Sequence, residues 1–333
     1  MDAMPEPHVP PSPASQAVSG PGRQGAVISP RPLVGIALLV SAMWVLSGLD
    51  ATGKFLLGIE VPLIALTWTR YALHMVICLA LFLPARGTRV LHSRFPRAQI
   101  ARGCAVACAT MLFFSTLRYL PLAQASAINF LAPLLTLTVA PYLLKEKPSA
   151  ARWAAAAIAF IGVLIVVRPG AGLHPVGTLL GLATACTMCV QHVSTRKIAG
   201  DDPFTSLIWT GALGTLLLTP ILLWQLDAVG AALSRLSVTQ WVLLISTGVT
   251  GSIGHLLQIM AYRNAAASTL APFIYLQILS AAGLGWLIWG HFPDQVTWIG
   301  ISVICASGIS IAAYEWHNVR RLSKALSPRP GAT

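Results

Sequence analysis

Apolar residues run along this chain in stretches of about 20, each long enough at 1.5 Å per residue to cross roughly 30 Å of hydrocarbon. The stretches predict ten helical spans, over residues 33–54, 62–84, 98–118, 121–143, 150–168, 175–197, 203–225, 238–261, 266–290 and 295–316. Proline, glycine or charge punctuates the breaks, as at Pro62, Arg86 to Pro96, Leu120–Pro121, Lys145 to Pro148, Arg168 to Gly172, Asp201 to Pro203 and Pro293–Asp294. The third and sixth spans, rich in Ala, Cys and Thr, carry the weakest apolar signal. Residues 1–31 are rich in Pro, Ser, Gly and Ala without the apolar core of a signal peptide, and read as a disordered tail. Residues 318–333 read as a short basic tail.

The spans repeat. Val34-Gly35 and Lys54 return as Val176-Gly177 and Arg196, 142 positions later. Pro62, Leu66, Trp68 and Thr69 return as Pro203, Leu207, Trp209 and Thr210 at an offset of 141. Gly103, Arg118, Pro148 and Trp153 return as Gly248, Arg263, Pro293 and Trp298 at an offset of 145. The expected architecture is therefore all-α and integral to the membrane, with ten transmembrane helices forming two five-helix units over residues 32–170 and 171–317. An odd number of spans per unit inverts the second copy. Such pseudo-symmetry lets one bundle open to either side at similar energy, as alternating access requires.

Composition agrees with the pattern. The chain is 56% hydrophobic and 10% charged, with a mean hydropathy of +0.72, whereas soluble domains are roughly 25% charged. The net charge of +12 does not point to nucleic acid, because the Lys and Arg residues sit between the spans. With the N-terminus inside, only Lys54, Arg118, Arg168 and Arg235 of the 22 fall on the outer side, and Arg70 lies within a span. That bias predicts cytoplasmic N- and C-termini. All six cysteines lie in apolar segments and read as small core residues rather than a disulfide framework. Cys186, Cys189 and His192 follow i, i+3, i+6 spacing but lack a fourth ligand, so no metal site and no cofactor is expected.

Several runs stand in order along the chain: WTRYALH over 68–74, ASAINFLAP over 125–133, Lys145-Glu146-Lys147-Pro148, GVLIVVRPG over 162–170, and AYRNAAASTLAPFIYLQ over 261–277, followed by Pro293-Asp294 and Gly300. Together they resemble the ten-helix EamA branch of the drug/metabolite transporter superfamily. The resemblance covers about residues 33–316. It implies a transporter of small metabolites in a bacterial-type inner membrane, often an exporter. It departs from the family at His291, where the Glu of Lys145-Glu146-Lys147-Pro148 is usually repeated.

Ionisable groups inside a bilayer are costly and mark function by default. Arg70 lies roughly 12 Å into the second span at 1.5 Å per residue. It is a candidate clamp for an anionic or zwitterionic metabolite, with Asp50, near the outer end of the first span, as its structural partner or as a coupling group. Lys54 is an equally placed partner for Asp50. His74, one turn beyond Arg70, and His255, near Gln258, are packed residues or proton carriers. Asn129, Tyr275 and Gln277 fall near the midplane beside Pro133 and Pro272, where a proline frees a helix carbonyl. Trp44, with Trp68 and Phe130, could form a stacking wall.

The reading is a secondary transporter, an exporter or exchanger, that moves a small polar metabolite. A homodimer is left open. Against a polytopic enzyme, the chain lacks H-E-x-x-H, G-x-S-x-G and paired membrane aspartates. Against a non-transporting sensor or assembly subunit, neither tail is long enough for an output domain.

Overall fold

The computed structural model describes residues 32–144, 150–168, 173–198, 200–264, 270 and 273–326. The expected breaks that fall on described residues each end a helix. The helices are α1 (Pro32–Gly58), α2 (Leu63–Arg86), α3 (Pro96–Leu117), α4 (Leu122–Asn129), α5 (Leu131–Leu144), α6 (Ala150–Val167), α7 (Pro175–Lys197), α8 (Pro203–Trp224), α9 (Leu226–Leu233), α10 (Val238–Asn264), α11 (Leu276–Trp289) and α12 (Gln295–Leu326). Prolines open α3, α7 and α8, where a missing N–H costs nothing. Among the described residues no strand occurs.

By length and composition, α1, α2, α3, α7, α8 and α10 can each cross a membrane. The third and sixth expected spans, α3 and α7, are thus among the clearest. The fourth, fifth, ninth and tenth are shorter apolar helices: Leu122–Thr136, Trp153–Val167, Leu276–Trp289 and Gln295–Ser310. The fourth span is broken at Phe130, between α4 and α5, and the ninth at Tyr275, just before α11. Two features differ from the sequence reading. The segment after Trp224 contains α9, and α12 continues to Leu326 through what reads as a tail. The Lys145–Pro148 run and Pro272 lie outside the described residues.

Packing repeats between the halves. α1 lies along α10 as α7 lies along α3. α2 packs on α10 as α8 packs on α3, and α1 on α11 as α7 on α5. The α2–α8 and α6–α12 pairs join each helix to its own repeat equivalent. Glycines set these approaches. A Cβ on Gly103 would meet Leu213 Cδ1 at 2.4 Å, and one on its repeat partner Gly248 would meet Leu73 Cβ at 2.4 Å. A Cβ on Gly300 would stand 2.7 Å from the Gly162 carbonyl oxygen, so α6 and α12 cross backbone to backbone.

N-cap aspartates pin two of the helix pairs. Asp202 accepts from Phe204 N–H at 3.0 Å and binds the Arg86 guanidinium at 2.5 Å, which ties α8 to the end of α2. Asp294 accepts from Thr297 N–H at 3.0 Å and binds Arg168 at 2.5 Å, which ties α12 to the end of α6. Hydrogen bonds from Arg168 and Thr297 hold the Asp294 carboxyl well below the usual carboxylate range. Beside Asp202, Asp201 accepts from the Ser93 hydroxyl, Arg94 N–H and the Gln99 amide, fastening the loop before α3.

Candidate functional site

The polar groups that the bilayer penalises collect where α1, α2, α3, α10 and α11 meet. One turn apart on α1, Ser47 and Asp50 face α11. The Ser47 hydroxyl lies 2.5 Å from that of Ser280, and both donate to the Gln277 carbonyl, at 3.4 and 3.0 Å. The half-buried Asp50 carboxyl lies beside the Gln277 side chain and in the field of Arg70. Lys54, the other suggested partner for Asp50, turns elsewhere. Its ammonium donates to the Leu117 and Leu120 carbonyls, each at 2.6 Å, so it caps the C-terminus of α3.

Arg70 enters this seam from α2. Its Nη1 donates to Thr110 Oγ1 at 3.0 Å, and its guanidinium carbon stands 5.3 Å from the Tyr71 ring centre. The Tyr71 hydroxyl lies 2.6 Å from Thr110 Oγ1 and donates to the Val106 carbonyl at 3.0 Å. Gly251 of α10 lies against this guanidinium: a Cβ there would touch Arg70 Nε at 3.6 Å and crowd Leu49 Cδ1 at 3.2 Å. The ion pairs among the described residues are Arg86–Asp202 and Arg168–Asp294, and Arg70 belongs to neither. Its charge is thus held at membrane depth by a hydroxyl, an aromatic face and a carboxylate beyond salt-bridge distance. A cation in that state can still take up an anionic group.

Toward the far end of α2, His74 Nδ1 lies 2.9 Å from Ser252 Oγ, and the His74 and His255 rings meet edge-on with centroids 6.0 Å apart. Gln258 lies beside His255 on α10. Arg70, Tyr71, His74, Gly251 and His255 line a cavity of about 10 Å³, room for about one water. In this conformation the seam is closed.

Asn129 and Tyr275 mark the two helix breaks. The buried Asn129 Oδ1 has no donor among the described residues, and an acceptor in that state favours a ligand N–H or a water. Phe130, next in the chain, meets the Tyr275 ring with centroids 5.2 Å apart. Tyr275 in turn lies over Gly308 of α12, where a Cβ would stand 1.5 Å from its hydroxyl. Trp44 is 52% exposed and lies against Gly283 of α11. Cys186 is exposed while Cys189 is buried, and His192 Nδ1 lies 3.2 Å from Thr136 Oγ1.

The seam thus joins Asp50, Arg70 and Gln277, and pairs His74 with His255. Sequence reasoning did not single out Thr110, Tyr71 or Arg102. Arg102 reads as a loop-side positive charge, yet it donates to Thr195 Oγ1 and the Ser206 carbonyl at 3.0 and 3.1 Å and acts electrostatically on Tyr71. The adjacency of Tyr71 to Arg70 in WTRYALH was the one available signal.

Known proteins resemble this chain in sequence and in fold. The model of the EamA-like transporter family matches residues 33–168 and, a second time, residues 175–313. A riboflavin transporter from Brucella anthropi is 26% identical over 75% of this chain and 87% of its own length. A pseudopaline exporter from Pseudomonas aeruginosa is 27% identical over 64% of this chain and 74% of its own. An S-adenosylmethionine uptake transporter from Rickettsia bellii is 23% identical over 84% and 93%. A solved crystal structure superposes with a TM-score of 0.57 at 20% identity, covering 87% of this chain and 98% of the other, a likeness of fold.

Proposed function

Because the chain belongs to the EamA-like transporter family, we propose that it carries a small polar metabolite bearing a negative group, with Arg70 as the clamp for that group. The carrying observation is the Arg70 guanidinium, hydrogen-bonded to Thr110 inside the bundle without a carboxylate in salt-bridge contact. Gln277, Asn129 and Tyr275 supply amide and phenol groups for the rest of the substrate, and Asp50 accommodates a substrate cation. Riboflavin, pseudopaline and S-adenosylmethionine, named for its relatives, are all small polar solutes, so a substrate of that size and polarity suits the scaffold.

The two halves, residues 32–170 and 171–317, insert in opposite orientations and rock about the α2–α8 and α6–α12 pairs to expose the seam to each side in turn. The repeated packing of the halves supports this reading. Both termini face the cytoplasm, in keeping with the distribution of Lys and Arg, and the host membrane is a bacterial-type inner membrane. Flux is export or exchange. Asp50 and His255 are the ionisable groups placed to couple it to protons, and no covalent chemistry is assigned to any residue.

A screen of small metabolites in proteoliposomes, run with the native chain and with Arg70→Ala, tests the clamp. Flux of an anionic or zwitterionic solute that disappears in the inserted, monodisperse variant supports it. Undiminished flux rejects it.

A further inference from the structure

We propose that the chamber between α2, α9 and α10 is a binding site for a lipid acyl chain. The chamber encloses about 480 Å³, within the roughly 300–1,000 Å³ of ligand sites. Its walls are almost wholly apolar, with Trp68, Ala72 and Val76 from α2, Gly230 from α9, and Trp241 and Ile245 from α10. Of the two tryptophans in its lining, Trp68 gives its indole N–H to Thr219 Oγ1 at 2.9 Å, which leaves that of Trp241 as the indole donor near the chamber. A polar ligand would find little to bond there.

The opposite end of the same helix pair shows what such a space requires. Trp209, the repeat equivalent of Trp68, donates its indole N–H to the Leu91 carbonyl at 2.9 Å. Leu91 ends the short turn Thr88–Leu91, which packs against both α2 and α8. That turn buries Val90 among Cys78, Phe204, Leu207 and Ile208. The chain itself therefore fills the space at that end. At the other end α9 occupies the corresponding connection and buries Val229 in the core, yet the chamber between it, α2 and α10 stays open.

Protein interiors close-pack, and voids much larger than a water are few. An apolar void does not hold water. The mouth decides the occupant. Val76, Trp241 and Ile245 are 55%, 39% and 45% exposed, and Val242 and Val249 continue this apolar surface along α10. In a membrane-spanning helix that surface is the lipid contact, so the chamber is an inward extension of it. Hydrocarbon can enter without crossing a polar rim.

The test is photolabelling in proteoliposomes made with phosphatidylcholine carrying an acyl-chain diazirine, followed by peptide mapping. Adducts should be enriched on residues 72–76 and 241–245 relative to the exposed positions Leu81 and Leu216. Gly230→Trp should remove the chamber adducts and spare those at Leu81 and Leu216; a Cβ at Gly230 meets nothing within 4 Å, so the substitution fills the space without a backbone clash. Ala72→Leu fills it from the opposite wall and should act in the same direction if Gly230→Trp does not insert. Equal labelling of chamber and belt, or labelling unchanged in both variants, overturns the proposal. So does an unlabelled chamber whose filling abolishes transport, which would assign it to an apolar part of the substrate.

Discussion

The ring of Phe130 meets the ring of Tyr275 with centroids 5.2 Å apart, and these are the residues at which the fourth and ninth spans break. The two interruptions of the repeat therefore support one another at a single aromatic contact. Phe130 is 6% exposed, and truncating a buried Phe to Ala typically costs about 3–5 kcal/mol. Phe130→Ala should lower the melting temperature of the purified protein, whereas Tyr275→Phe should leave it close to native. Equal melting temperatures for all three proteins would show that the contact contributes nothing.

Lys54 is expected to be structural. Removing a cation that bonds the last carbonyls of a helix costs about 1 kcal/mol, so Lys54→Met should lower thermal stability modestly. Substrate preference should stay the same in a transport assay. A change of preference at unaltered stability would place Lys54 in the binding path.

Asp50 and Gln277 should act together. Asp50→Asn keeps the shape and removes the charge next to Arg70, so pH-driven flux should be lost while counterflow of labelled substrate persists. If proton-driven uptake survives in Asp50→Asn but fails in His255→Gln, the coupling group is the histidine instead.

The Arg168–Asp294 contact sets a pH dependence. Asp294 has its carboxyl held low by Arg168, so its contribution is fully present above the ordinary Asp pKa of about 3.9. It is lost as pH falls through the lower folded value. The stability difference between native protein and Asp294→Asn should thus be constant near neutrality and shrink only in strong acid. A difference that fades between pH 8 and pH 6 would contradict this account.

The orientation can be read directly. A reporter fused after Thr333 should behave as cytoplasmic, and one inserted in residues 169–174 as external. The reverse pattern would invert the topology.

The spans were legible in sequence because the breaks are chemical: Pro62, Pro121, Pro203 and Asp294 stand within a residue of a helix start. α9 was missed because eight residues between two long apolar runs carry too short a period to separate a surface helix from a loop. Arg70 and Asp50 were visible as charges in apolar stretches. The partners that define them were not, since Thr110 lies 40 residues from Arg70 and looks like any membrane-helix threonine. Lys54 illustrates the limit best. Its nearest charge in sequence is Asp50, yet its partners are backbone carbonyls more than 60 residues away, and a carbonyl leaves no mark in a sequence.

The carboxylates of Asp202 and Asp294 each do two jobs, starting a helix and holding an arginine from that helix's repeat equivalent or its neighbour loop. Parting α2 from α8, or α6 from α12, at these ends would therefore also loosen the first turn of a helix. If the proposed rocking parts these pairs, its hinges are spring-loaded by helix fraying, and the stiffness of each spring can be tuned at a single oxygen pair.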